Sequence, residues 1–152
     1  MTRFAMRSVL VLPSAIALTA GILAAPAAAA GVADGPRASA AALPSCTHFT
    51  DIKVSKGVVR YPSVGANTKD IKCKLQLGDH NWGVVALQQW LRFCNDAKQV
   101  EVDGIYGPVT RDVILWLQAS KGIPADGVYG PQTMEILGKA VYQGNTRVGC
   151  SA

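Results

Sequence analysis

Asp103-Gly104-Ile105-Tyr106-Gly107-Pro108-Val109-Thr110 returns 23 positions later as Asp126-Gly127-Val128-Tyr129-Gly130-Pro131-Gln132-Thr133, with six of the eight positions identical. An octapeptide written twice marks a duplicated structural unit. In each copy the Asp-Gly pair predicts a tight turn, because Asp accepts a local backbone N–H and Gly tolerates positive φ. The Gly-Pro step then predicts a helix start, since Pro is pre-set for the first helical position, where its missing N–H costs nothing. Between them, Ile105-Tyr106 and Val128-Tyr129 offer a branched and an aromatic side chain to a core. The unit reads as turn, short extended hook, helix, with Asp103, Gly104, Gly107, Asp126, Gly127 and Gly130 as its structural residues.

Apolar spacing supplies the helices around the hooks. Val84, Leu87, Leu91 and Cys94 recur three and four apart, predicting a first helix from about Gly83 to Phe93. A second is expected from Pro108 to about Ser120, with Thr110, Val113, Ile114 and Leu117 on its core face and Lys121-Gly122 as its stop. A third is expected from Pro131 to about Tyr142, with Ile136, Leu137, Ala140 and Val141 facing inward. The expected fold class is mostly α: a small three-helix bundle with two Asp-Gly hooks, preceded by an irregular, disulfide-tied arm.

The chain divides by composition. Residues 1–30 carry Arg3 and Arg7, an apolar run from Val9 to Leu23 and small residues at A-x-A spacing, the pattern of a secretory signal peptide cleaved near Ala30. Gly21 and Ala25-Pro26-Ala27 argue against a membrane anchor, and no later stretch approaches the roughly 20 apolar residues of a spanning helix. Residues 31–44 read as a flexible linker, 45–76 as an N-terminal arm and 77–152 as the compact domain. Much of the positive mean hydropathy therefore belongs to the leader. Without Arg3 and Arg7 the formal charge falls from +5 to +3, a mild excess that suits loose attraction to an anionic wall polymer but not nucleic acid. The arm holds Lys53, Lys56, Arg60, Lys69, Lys72 and Lys74 against Asp51 and Asp70, either a solvated loop or a wall-facing basic surface.

All four cysteines, Cys46, Cys73, Cys94 and Cys150, lie beyond the leader. An even count in a small exported domain predicts two disulfides, with three connectivities open. The pairing favoured is Cys46–Cys150, closing the chain ends, with Cys73–Cys94 as the inner bridge. Zinc is disfavoured, because no CxxC pair exists and His48 and His80 stand at no ligand-like spacing. A core of about 65 residues is marginal by itself. Two bridges at about 2 to 4 kcal/mol each are a sufficient structural reason for the cysteines.

Catalytic chemistry finds no convergent set. His48 and His80 have no Ser or Cys nucleophile with an orienting acid, and bridged cysteines leave no thiol. Asp103 and Asp126 could be a glycosidase pair, but their identical turn contexts favour capping. Calcium loops, phosphate loops and basic-aromatic stripes are also missing, so no metal, cofactor or nucleic acid is expected. A wall hydrolase built around Asp79 and His80 is the weakest of the readings.

Leu87-Gln88-Gln89-Trp90-Leu91, the first hook, Leu117-Gln118 and the second hook with Leu137 together resemble the bacterial peptidoglycan-binding domain of the three-helix type. That family's pattern is an LQxxL helix, a DGxxG turn, a T-x-x-A-V-x-x-F-Q helix and a second DGxxG turn before a short helix. The resemblance covers roughly Leu77 to Gly138. It implies a compact non-catalytic domain that holds onto peptidoglycan, with the hook residues shaping structure. This chain departs from the pattern where Trp90, Leu115 and Trp116 replace usually polar residues. Either the arm packs over them, or an open Trp face stacks on a sugar ring.

The resulting expectation is a secreted, monomeric cell-wall protein with no stable membrane insertion once its leader is removed. It would bind the glycan or stem peptide of peptidoglycan, alone or beside a wall-modifying enzyme. Trp116, Arg111, Tyr106, Gln118, Trp82 and Arg92 are the candidate ligand contacts. The alternative is a secreted protein–protein module, or an inhibitor of a wall enzyme, that uses Leu115 and Trp116 as an apolar anchor.

Overall fold

The computed structural model describes residues 43–151. The expected leader and all but the last two residues of the expected linker lie outside the described residues. Two strands come first, β1 (His48–Val54) and β2 (Gly57–Ser63), then three helices, α1 (Trp82–Cys94), α2 (Pro108–Ser120) and α3 (Pro131–Ile136), and last β3 (Lys139–Gln143) and β4 (Thr146–Ser151).

The helices start where local chemistry puts them. Asn81 caps α1, its side chain accepting from the Val84 N–H, while α2 and α3 each open on a Pro after an extended Gly. The third helix is shorter than its spacing suggested. It stops at Ile136, where Leu137 turns extended, and Ala140, Val141 and Tyr142 instead lie buried in β3. Apolar residues three and four apart in a short run suit a helix or a buried strand equally. Pairing with β2, Val58 opposite Tyr142 and Val59 opposite Val141, decides for the strand.

The arm is regular as well. Exposed Asp51 and Lys53 alternate with half-buried Ile52 and Val54 along β1, the period of a one-sided strand. Two antiparallel hairpins, β1–β2 from the arm and β3–β4 from the C-terminus, join edge to edge in the order β1-β2-β3-β4. Helix α1 packs on β1, β2 and β3, and α2 packs on α3.

Trp90 is the centre of the core. It is fully buried, with Tyr61 of β2 edge-on at 5.2 Å and Tyr129 of the second hook at 6.2 Å. Val84, Leu87 and Leu91 of α1, Ile114 of α2, Val59 of β2 and Leu75 fill the space around it. The arm thus covers Trp90, and this aromatic is a packing residue.

The disulfides pair differently from the favoured arrangement: Cys46 with Cys73 and Cys94 with Cys150. The Cys46 N–H donates to the Lys74 carbonyl and the Lys74 N–H to the Pro44 carbonyl, both at 2.9 Å, so the two ends of the arm lie side by side. At the other end the Asn95 side chain donates to the Gly138 carbonyl at 2.8 Å and accepts from the Gly138 N–H at 3.0 Å. That clamp sets β3 beside the end of α1, and β4, with Cys150 opposite Ala140, brings its thiol to Cys94. Loops of 27 and 56 residues closed in this way stabilise by roughly 3 to 4 kcal/mol each.

Candidate functional site

Each hook is held by a glutamine of the preceding helix. The Gln88 amide donates to the Asp103 carboxylate at 2.8 Å, the Ile105 carbonyl at 3.0 Å and the Thr110 hydroxyl at 3.4 Å. Its oxygen accepts from the N–H groups of Asp103 and Gly104. Gln118 repeats the pattern, donating to Asp126 at 2.9 Å, the Val128 carbonyl at 3.0 Å and Thr133 at 3.0 Å, and accepting from the Gly127 N–H. Both glutamines are buried. A buried amide must find partners for both ends, and here the hook supplies them.

Two of the six candidate contacts are buried in this arrangement. Gln118 spends its hydrogen bonds inside the second hook. Tyr106 is fully buried, and its hydroxyl donates to the Gly127 carbonyl at 3.0 Å. Burial first, and then the charges of Asp126 and Asp79, push this phenol above its ordinary range. Neither side chain is open at the surface. Asp79, the acid of the hydrolase reading, accepts from the Gln76 N–H at 2.8 Å and serves its own turn.

Two open grooves hold the exposed tryptophans, Trp116 and Trp82. The first, of about 540 Å³, runs between α2 and the segment after α1, and is lined by Asn95, Asp96, Ala97, Gln99, Val109, Asp112, Val113 and Trp116. Trp116 is 65% exposed and Val109 50%, so an indole face and a branched side chain stand open at its edge. The opposite wall is held by hydrogen bonds. Arg92 donates to the carbonyls of Lys98 and Val100 at 2.7 and 2.8 Å, and Asn95 is tied to Trp90 and Gly138. Arg92 therefore shapes this wall. Arg111 is exposed on α2, 3.8 Å from its neighbour Asp112, a contact worth little in water. Leu115 is half-buried.

The second groove, of about 600 Å³, lies where the arm meets the first hook. Thr47 and His48 line it on one side, His80, Asn81, Trp82 and Val85 on another, and Asp103 and Gly104 at its end. Trp82 is 60% exposed. Asp103 is held below the usual carboxylate range, first by the Ile105 N–H at 2.8 Å and then by the Gln88 amide. No group of three or more His, Cys, Asp or Glu among the described residues could hold a metal.

Of the groove residues, Val109, Asp112 and Val113 were not singled out as contacts from the sequence. Their signal was the spacing i, i+3, i+4 and i+7 ending at Trp116, which places all four on one face of α2. For Asn95, Gln99, His48 and Asn81 no such periodic signal exists, because tertiary contacts bring them there.

The family model described as "Putative peptidoglycan binding domain" matches residues 82–137, from the first turn of α1 to the residue after α3. Residues 82–137 are a peptidoglycan-binding domain. The duplicated glutamine-locked hooks are the interior of this peptidoglycan-binding domain, and both hairpins of the sheet lie outside the matched segment. Among solved structures, the chain is similar to the Burkholderia AP3 phage endolysin, at 39% identity over 41% of this chain and 23% of that one, with a TM-score of 0.37. It is also similar to the SleB N-terminal domain, at 29% identity over 43% of this chain and 88% of that one, with a TM-score of 0.40. The matched part thus spans under a quarter of the endolysin's length. Comparison with curated proteins finds no match.

Proposed function

We propose that this chain is a secreted, non-catalytic cell-wall protein that binds peptidoglycan through the groove beside α2. The observation that carries this reading is the peptidoglycan-binding domain at residues 82–137. The groove supplies the surface. Its lining is apolar at Ala97, Val109 and Val113, and Trp116 offers an indole face to the C–H surface of a sugar or an alanine methyl. Asn95, Gln99 and Asp112 supply donors and acceptors at the rim for hydroxyl and amide groups. Preformed concave sites of mixed character with few polar anchors are the usual form of small-ligand sites. A mature charge near +3 adds a weak attraction to an anionic wall.

The alternative of a protein-docking anchor loses half its proposed surface, since Leu115 is half-buried and, of the large apolar side chains of α2, only Trp116 and Val109 stand open. The test is sedimentation of the purified, oxidised chain, lacking residues 1–30, with peptidoglycan sacculi over a salt series. Retention of the wild type and a loss of at least fivefold for Trp116→Ala supports the reading. Retention untouched by Trp116→Ala moves the site off α2. No retention at any salt overturns wall binding and favours a protein partner.

A further inference from the structure

The two repeats are not equally filled. Aligning Gln88 with Gln118 in the sequence sets Val85 against Leu115 and Asn81 against Arg111, thirty residues apart in each case. A Cβ built on Gly104 would lie 3.1 Å from Val85 Cγ2, and one built on Gly127 would lie 3.1 Å from Leu115 Cγ, so the two hooks seat on their helices alike. They differ in the next contact. Arg111 lays its side chain across Gly127, with Cγ 2.9 Å and Nε 3.3 Å from that same position. Its counterpart Asn81 is short, and its oxygen is turned into α1, where it accepts from the Val84 N–H at 3.2 Å. No such side chain lies across Gly104, and the open groove of about 600 Å³ is lined by Gly104, Asn81 and Val85.

The arm walls this groove. Cys46 is bridged to Cys73, and the Thr47 N–H donates to the Ser63 carbonyl at 2.9 Å, which fixes the backbone leading into β1. At Gly83 the arm touches α1 so closely that a Cβ would meet the His48 carbonyl at 3.0 Å and the Cys46 Cβ at 3.3 Å. The position of His48 over the groove is therefore set by packing. Three kinds of group converge there: the open indole of Trp82, the imidazoles of His48 and His80, and the carboxylate of Asp103; the Thr47 hydroxyl donates to the Val64 carbonyl at 2.6 Å and lies 3.1 Å from His48 Nδ1. Both hydrogen bonds that Asp103 accepts through its side chain go to Oδ1. Oδ2 is left to accept from a ligand.

We propose that this groove is a second binding site, for a pyranose ring of a glycan, separate from the groove beside α2 and dependent on the arm. A stacked indole with a carboxylate and imidazoles at the ring's edge suits a neutral ligand with one C–H face and several hydroxyl or amide N–H donors. The ionised Asp103 disfavours carboxylate and phosphate ligands, which would bring like charge against it. Two sites on one chain would raise retention on a polymeric wall through effective concentration, without either being tight.

The test uses the oxidised chain, lacking residues 1–30 and labelled with 15N, titrated with a β-1,4-linked tetramer of N-acetylglucosamine. Saturable shifts at the Trp82 indole N–H and at His48 and His80 are expected, with those of Trp116 unmoved. Trp82→Ala is expected to raise Kd at least tenfold and His80→Ala at least threefold, while Trp116→Ala changes it less than twofold. If Trp82→Ala does not fold, the wild-type shift map and His80→Ala still decide. No saturable binding, shifts centred on Trp116, or unchanged affinity in both Trp82→Ala and His80→Ala would overturn the proposal. Retention on sacculi without tetrasaccharide binding overturns this site and leaves the wall-binding reading standing.

Discussion

The hydroxyl of Tyr106, in the first hook, donates to the carbonyl of Gly127, in the second, at 3.0 Å inside the core. One repeat thus satisfies a buried backbone acceptor of the other. The lock runs one way: Tyr129 stands at the matching position and is equally buried, but its hydroxyl makes no such bond.

Tyr106→Phe should cost about 1 to 3 kcal/mol, because the carbonyl of Gly127 would be left buried without its donor while the ring still fills its space. Urea unfolding measures it. Sacculus retention should not change, since the ring never reaches the surface; a loss of retention in a folded variant would restore Tyr106 as a contact.

Gln88→Leu and Gln118→Leu should each destabilise by about 2 to 3 kcal/mol, as each amide joins a helix to three or more groups of a hook. Hydrogen exchange should rise first in the hook that the glutamine holds, 103–110 for Gln88 and 126–133 for Gln118. Equal exposure of both hooks in either variant would contradict the independence of the two locks.

Acid should weaken the fold through Asp103. The Ile105 N–H and the Gln88 amide lower its folded pKa beneath the unfolded value of about 3.9. The stabilisation is complete above that unfolded value and is lost as the pH falls through the folded one. Asp103→Asn should flatten the acid limb of a plot of Tm against pH below about pH 4 while leaving the curve above pH 6 nearly parallel. An unchanged acid limb would remove Asp103 from the list of causes.

Peptide mapping without reduction should recover Cys46 with Cys73 and Cys94 with Cys150. Replacing Cys94 and Cys150 together by Ser should cost roughly 3 to 4 kcal/mol, by freeing a loop of 56 residues. The loss should appear as faster exchange in β4 before the helices. Replacing Cys46 and Cys73 should instead loosen the strand that carries His48, and with it the tetrasaccharide site more than sacculus retention.

Much of the helical half was legible because its signals are local. Asp-Gly needs no distant partner to turn, Pro after Gly starts a helix wherever it stands, and the spacing of Val84, Leu87 and Leu91 shows a buried face. The bounds of α2, Pro108 and Ser120, follow from those rules alone. The Leu-Gln pairs and the two hooks likewise sufficed for the resemblance to the family found at residues 82–137.

What the tertiary structure decided is whatever depends on residues far apart in the chain. The run from Leu137 to Tyr142 has helical spacing but becomes β3, because β2, some eighty residues earlier, offers an unpaired edge. Cysteine pairing followed from that sheet and not from the positions of the cysteines along the chain. Trp90, Trp116 and Trp82 look alike in the sequence. Tyr61 of the arm covers the first and leaves the other two open, because burial is a property of packed neighbours and no single helix carries the information about what will be laid against it.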